Sequence, residues 1–197
     1  QVGKQVRAVA SYTDGHGTAE SVASTATATI ANINDAPNGA VTISGTAAQN
    51  QTLTASDTLA DADGLGAIGH QWQNSGDGGN TWTAITGATA SSFTLTEAQV
   101  GQQVRVNASY TDGHGINESV ASDATAAIAN TNDTPTGIVS VGGTATQGEV
   151  LTASNTLADI DGLGSIGYQW QSSIDGTTWN VISGATADSF TLGEAQV

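Results

Sequence analysis

Cysteine and methionine are both absent from the 197 residues, and only 2 prolines and 3 basic residues occur. Without cysteine there is no disulfide, no thiol nucleophile and no thiolate metal site. Without either sulfur residue nothing in the chain oxidises readily, which suits an extracellular setting. Against the 3 basic residues stand 18 acidic ones, a formal charge of −15, although charged residues make up only 11% of the chain. Three cations cannot neutralise a phosphate backbone, so nucleic acid and anionic lipid are excluded as partners. No run of about 18 apolar residues exists, which excludes a membrane-spanning helix. What is present is a β-forming composition: Thr, Ser, Val and Ile set among 25 glycines, with 38% hydrophobic residues and too little charge for intrinsic disorder.

The chain repeats itself at an offset of 98 residues, carrying Gln1 to Gln99 and Ala31 to Ala129. QVGKQVRAVASYTDGHGTAESVAS returns as QVGQQVRVNASYTDGHGINESVAS, and ANINDAP returns as ANTNDTP. Leu53, Asp61 and Trp72 match Leu151, Asp159 and Trp170, after which a one-residue deletion sets Trp82 against Trp179. A unit of this length is a domain rather than a solenoid turn. Both prolines, Pro37 and Pro135, lie in the NDxP segments, where X-Pro favours extended backbone and Asn, Asp and Gly favour turns. These linkers divide the chain into the last strands of one domain (1–36), a complete domain (37–134) and the first strands of a third (135–197). Gln196-Val197 repeat Gln1-Val2, so the 197 residues read as a window on a longer tandem array.

Within the complete unit, short alternating runs separated by turn signals predict an all-β sandwich. Strands are expected at 40–44, 51–55, 67–74, 81–85, 92–96, 102–111 and 118–129. In the sixth, Val104, Val106, Ala108 and Tyr110 share one face while Arg105, Asn107 and Ser109 share the other. Seven strands in about 98 residues with a Trp on the third resemble an immunoglobulin-like sandwich, in which Trp72 and Trp170 would cross the inter-sheet core. On that resemblance, 1–36 carry strands F and G, and 135–197 carry strands A to E.

The words DADGLGAIGHQWQ, SYTDGHGTAES and ANINDAPNG resemble the tandem extender domains of giant bacterial surface adhesins, the repeats-in-toxin class exported by type I secretion. The NDxP linker also resembles the calcium linker of cadherins. The resemblance implies an extracellular spacer at the bacterial surface, serving cell adhesion or biofilm formation. Its partners would be neighbouring repeats, and calcium would stiffen it.

In a sandwich of this topology the chain enters at the pole that carries the B-C and F-G loops. Three acidic elements should therefore meet there: Asn34-Asp35, the loop of Asp61 and Asp63, and the loop of Asp112. The next junction should use Asn132, Asp133, Asp159 and Asp161, with its F-G loop beyond Val197. Calcium takes six to eight oxygens at about 2.3–2.6 Å, which carboxylates and carbonyls from separate loops supply. Two carboxylates two residues apart repel unless something screens them, so the D-x-D-G loops favour an ion. Asp14, Asp77 and Asp175, each followed by Gly, read instead as turn formers.

The remaining candidates read as structural. His16 and His114 each stand alone in a polar TDGHG loop, and His70 is replaced by Tyr168 in the other copy, against metal ligation. Trp82 and Trp179 pair with Ile85 and Ile182 and are expected to pack; an exposed, coplanar pair would instead suit a carbohydrate-binding module. Arg7 and Arg105 are expected to pair with neighbouring acids. The chain has no nucleophile elbow, HExxH or P-loop, and duplicated acids at a linker fit an ion site better than an active site, so no enzyme is expected. A third reading is a filament, in which residues 3–36 of one copy complete residues 137–197 of the next.

Overall fold

The alternation of residues 103–111 builds the central strand of a four-stranded antiparallel sheet in the computed structural model, which describes residues 1–194. Gln196 and Val197 lie outside the described residues. The chain divides into two compact units, Gln1–Ala129 and Asn130–Val197.

The first unit opens with a hairpin of β1 (Val9–Thr13) and β2 (Ala19–Ala23). Seven strands follow: β3 (Val41–Ser44), β4 (Thr52–Asp57), β5 (Gly69–Ser75), β6 (Thr83–Ala84), β7 (Ser92–Thr94), β8 (Gln103–Thr111) and β9 (Asn117–Ala121). A 3-10 turn, Glu97–Gln99, precedes β8. One sheet has the order β3-β4-β7 and the other β6-β5-β8-β9, all antiparallel. Their inner faces share one core in which Trp72, Leu95, Val104, Val106 and Ala108 are fully buried. The indole of Trp72 reaches across that core, stacks at a tilt on Phe93 at 5.8 Å and donates Nε1–H to the Ala90 carbonyl at 2.9 Å. Burial of this one side chain contributes about 3–5 kcal/mol by analogy with large-to-small core changes.

The expected last strand, 118–129, is regular only as far as Ala121. Beyond it, Ser122, Thr125 and Ile128 donate their N–H groups to Val106, Val104 and Gln102, so three residues on this side match two on β8. The mismatch takes backbone acceptors out of reach. Hydroxyls replace them: Val106 N–H donates to Ser122 Oγ at 3.1 Å and Val104 N–H to Thr125 Oγ1 at 3.0 Å. The segment then meets the connection between β3 and β4, where Ala129 forms an isolated parallel bridge with Ala48. The hairpin repeats the device at Ser24 with Ala8 and at Thr27 with Val6.

The second unit contains β10 (Val139–Gly142), β11 (Val150–Asn155), β12 (Gln171–Ser172), β13 (Asn180–Val181) and β14 (Ser189–Thr191), in sheets of order β10-β11-β14 and β12-β13. Trp170 stacks on Phe190 at 5.5 Å and donates to the Ala187 carbonyl at 2.9 Å, as Trp72 does with its own partners. Among the described residues no helix is long and apolar enough to cross a membrane.

Candidate functional site

Two loops of the first unit close on each other at one end of the sheets, one after β4 (Asp61 to Gly64) and one after β8 (Asp112 to Gly115). The Gly113 N–H donates to the carbonyls of both Asp63 and Gly64 at 3.1 Å. A Cβ on Gly113 would lie 2.5 Å from the Asp63 oxygen, and one on Gly66 only 2.1 Å from the Thr111 oxygen. The DGLG and DGHG words therefore carry glycine where backbone meets backbone.

That contact gathers the acids. Asp63 is buried, and its Oδ2 accepts the Asp35 backbone N–H at 2.7 Å. Its Oδ1 lies 3.6 Å from His114 Nδ1. The Asp35 N–H, then the Asn32 side chain, and in smaller part His114 hold the Asp63 carboxyl below its ordinary range. Asp61 caps the turn through Oδ1, which accepts the Asp63 N–H at 2.8 Å, while its Oδ2 accepts the Tyr110 hydroxyl at 2.6 Å. Burial, that hydrogen bond and the charges of Asp61, Glu118 and Asp112 push the Tyr110 phenol well above its ordinary value. Asp112 is only 6% exposed. Its Oδ1 accepts the N–H groups of His114 and Ile116 at 2.8 and 2.7 Å, and its Oδ2 is buried with no hydrogen-bond partner.

Of the residues expected at this junction, Asp35, Asp61, Asp63 and Asp112 come to one pole as anticipated from the loop order. The side-chain oxygens of these four do not form a triad within 4.8 Å of one another, so a shared ion would draw them inward or recruit carbonyls. Asn34 reaches the same pole by another contact. Its Nδ2 donates to Glu118 Oε1 on β9 at 2.6 Å, because the exposed linker runs past that strand before turning to Asp63. Asn32, Tyr110, His114 and Glu118 were not anticipated as part of the site. All four have a legible signal, since Asn130, Tyr12, His16 and Glu20 repeat them at the period.

The second unit rebuilds the part of this arrangement that its residues supply. Asp133 N–H donates to Asp161 Oδ2 at 2.8 Å, and Asp161 N–H to Asp159 Oδ1 at 3.0 Å. Asn132 Nδ2 turns to the Asp133 carbonyl at 2.9 Å. The two junctions thus share one backbone-to-carboxylate lock, which makes the D-x-D spacing a local structural device as well as a charge pair.

The other candidates resolve individually. Asp77 accepts from Thr81 N–H, Thr81 Oγ1 and Ser75 Oγ, which holds it at about 2, and Asp175 is lowered further by the Thr178 and Thr177 N–H groups. Both are turn formers, as expected. Arg105 corrects an expectation: rather than an acid, it takes Gln73 Oε1 at 2.7 Å and lies 4.4 Å over the Trp82 ring. One face of the Trp82 ring is therefore covered by the guanidinium. Trp179 is 57% exposed.

A family profile described as a domain of unknown function (DUF8696) matches residues 141–196, less than half of the chain. No curated protein matches the chain.

Proposed function

We propose that the chain is a structural extender of a large secreted bacterial surface adhesin. In this reading, immunoglobulin-like sandwich repeats of about 98 residues are strung end to end outside the cell, stiffened by calcium at their junctions, and serve adhesion or biofilm formation. The observation that carries the reading is Asp112, a carboxylate 6% exposed whose Oδ2 has no partner, at a pole it shares with Asp61, Asp63 and Glu118. A buried carboxylate oxygen without a donor is costly unless a cation compensates it, and among the described residues His114 is the only basic group within 4 Å of the Asp63 carboxylate. The donor set is all oxygen, which suits a hard divalent ion. Asp35 would tie the linker to the loops, so one ion would restrain the hinge and lock the repeat at once.

With millimolar calcium and a dissociation constant of about 10⁻⁴ M, each site would add about 1.4 kcal/mol. Calcium titration of the full chain should raise Tm and extend its dimensions in solution scattering. Asp112→Asn should remove most of the gain in Tm. If calcium leaves both Tm and dimensions unchanged, the reading fails. Duplication of the same acids at successive linkers supports a mechanical rather than a catalytic role.

A further inference from the structure

Both NDxP linkers end on the same backbone device. In the first, Asn38 and Ala60 exchange two backbone hydrogen bonds, each of 2.8 Å, and in the second Thr136 and Ala158 do the same at 2.7 and 3.0 Å. Each pair is an isolated bridge outside the regular strands, tying a linker to the start of the loop that carries Asp61 or Asp159. The residue that follows has to be glycine. Gly39 and Gly137 have φ of +101° and +91°, and a Cβ on them would lie 2.3 and 2.1 Å from the carbonyl oxygens of Thr58 and Thr156. The fold therefore demands an X-Gly step at both places, and X differs between them.

At the first linker X is asparagine, a chemically labile residue, and Asn38-Gly39 is the one Asn-Gly step in the sequence. Glycine leaves its own nitrogen unshielded by a side chain. Both residues are exposed. Antiparallel pairing turns the backbone of Asn38 toward Ala60 and that of Ala40 toward Thr58, so the Gly39 N–H between them faces the other way. Among the described residues it has no acceptor, and the Asn38 side-chain amide makes no hydrogen bond. The electrophile and the nucleophile are thus adjacent and free. Thr136 carries no amide, and its Oγ1 donates to the Ala158 carbonyl at 3.2 Å. Asp-Gly steps such as Asp77-Gly78 and Asp112-Gly113 present an ionised carboxylate, a poorer electrophile, and engage it in hydrogen bonds.

We infer that Asn38 is a site of spontaneous deamidation that lengthens the backbone and unhooks the first linker from its repeat, while the second linker is exempt. The Gly39 nitrogen attacks Asn38 Cγ, closing an imide ring. The side-chain nitrogen leaves as ammonia with the proton that the Gly39 nitrogen gives up. Water then opens the ring. Breaking the new N–Cγ bond leaves aspartate, whereas breaking the original peptide bond leaves isoaspartate, in which the chain runs through Cβ and Cγ and gains one methylene. No oxidant or cofactor enters. The extra atom displaces Gly39 from its close seat against Thr58, and the former Asn38 carbonyl becomes a carboxylate off the main chain. The two-way pairing with Ala60 is lost beside Asp61, with one negative charge added to the linker.

Peptide mapping by mass spectrometry of the full chain, held folded in warm, mildly alkaline buffer, tests it beside the same chain in urea and an Asn38→Thr chain. In the folded chain Asn38 should gain one mass unit before any other asparagine does, mostly as isoaspartate, and the Ala60 N–H should then exchange about tenfold faster. Asn38→Thr copies the residue of the second linker, so it should keep the pairing and show neither change. Persistence of Asn38 in the folded chain overturns the proposal, and its conversion in urea alone would identify the fold as the protector. Aspartate without isoaspartate also overturns it, because the Gly39 nitrogen is then not the nucleophile. So does isoaspartate that leaves Ala60 exchange unchanged, since the linker then stays in place.

Discussion

Residues 39–95 of the complete repeat and residues 137–192 are related in sequence but have different neighbours, and the properties they share differ in kind from those they do not. Strand pairs close in sequence form identically. β10 pairs with β11 in the register of β3 with β4, and both Trp residues stack on a Phe and donate to an Ala carbonyl. What differs is everything that β8 supplies. Trp72 is sealed where Trp170 is half-buried, and a seven-residue β5 faces a two-residue β12. Hairpins and caps are thus a property of about twenty contiguous residues, whereas burial and strand length depend on a partner from farther along the chain.

The largest difference is expected between Trp72→Ala and Trp170→Ala, read by hydrogen exchange of β4 and β11 in dilute solution. The first should cost about 3–5 kcal/mol and expose β4; the second should change β11 protection by less than half as much. Equal effects would mean that the two cores are equally complete. Next comes Gly66→Ala, whose Cβ meets the Thr111 oxygen, against Gly164→Ala, which meets nothing within 4 Å. Urea unfolding should report about 1–3 kcal/mol for the former and close to zero for the latter.

Smaller again is Arg105→Ala, which uncovers Trp82 and should cost about 0.5–1 kcal/mol with a red shift in fluorescence. Arg7 occupies the same place in the hairpin, so Arg7→Ala should leave Tm unchanged. The smallest effect concerns acid. Asp77 is held at about 2 from an ordinary 3.8 by Thr81 and Ser75, so its stabilisation is full above pH 4 and is lost as pH falls toward 2. The gap in Tm between the native chain and Asp77→Asn should therefore narrow across that window; a gap constant with pH would assign the effect to something other than the charge.

Much of this organisation was legible in the residues. The alternation at 103–111 gave the buried and solvent faces of β8 correctly, and the D-x-D spacing marked the loops that meet Asp35. The contact of Asn34 with Glu118 was not legible, because no linear pattern says that the linker passes β9. Arg105 was assigned an acid because charge is visible in sequence, while the Trp82 face beneath it depends on how β5 and β8 pair. Strand 118–129 was drawn too long for a similar reason: Ser122 and Thr125 suit a ladder by composition, and only their geometry shows hydroxyls standing in for carbonyls.

An all-β chain, a period of 98 residues, most of the strands and the loops that carry the charge could be read from the residues, because each follows from alternation, turn chemistry and repetition over short spans. Which carboxylates are buried, and that Asp112 keeps an oxygen without a donor, became visible only in the fold. Those properties arise where segments distant in sequence exclude water together, and no local pattern records which partner is present to do so.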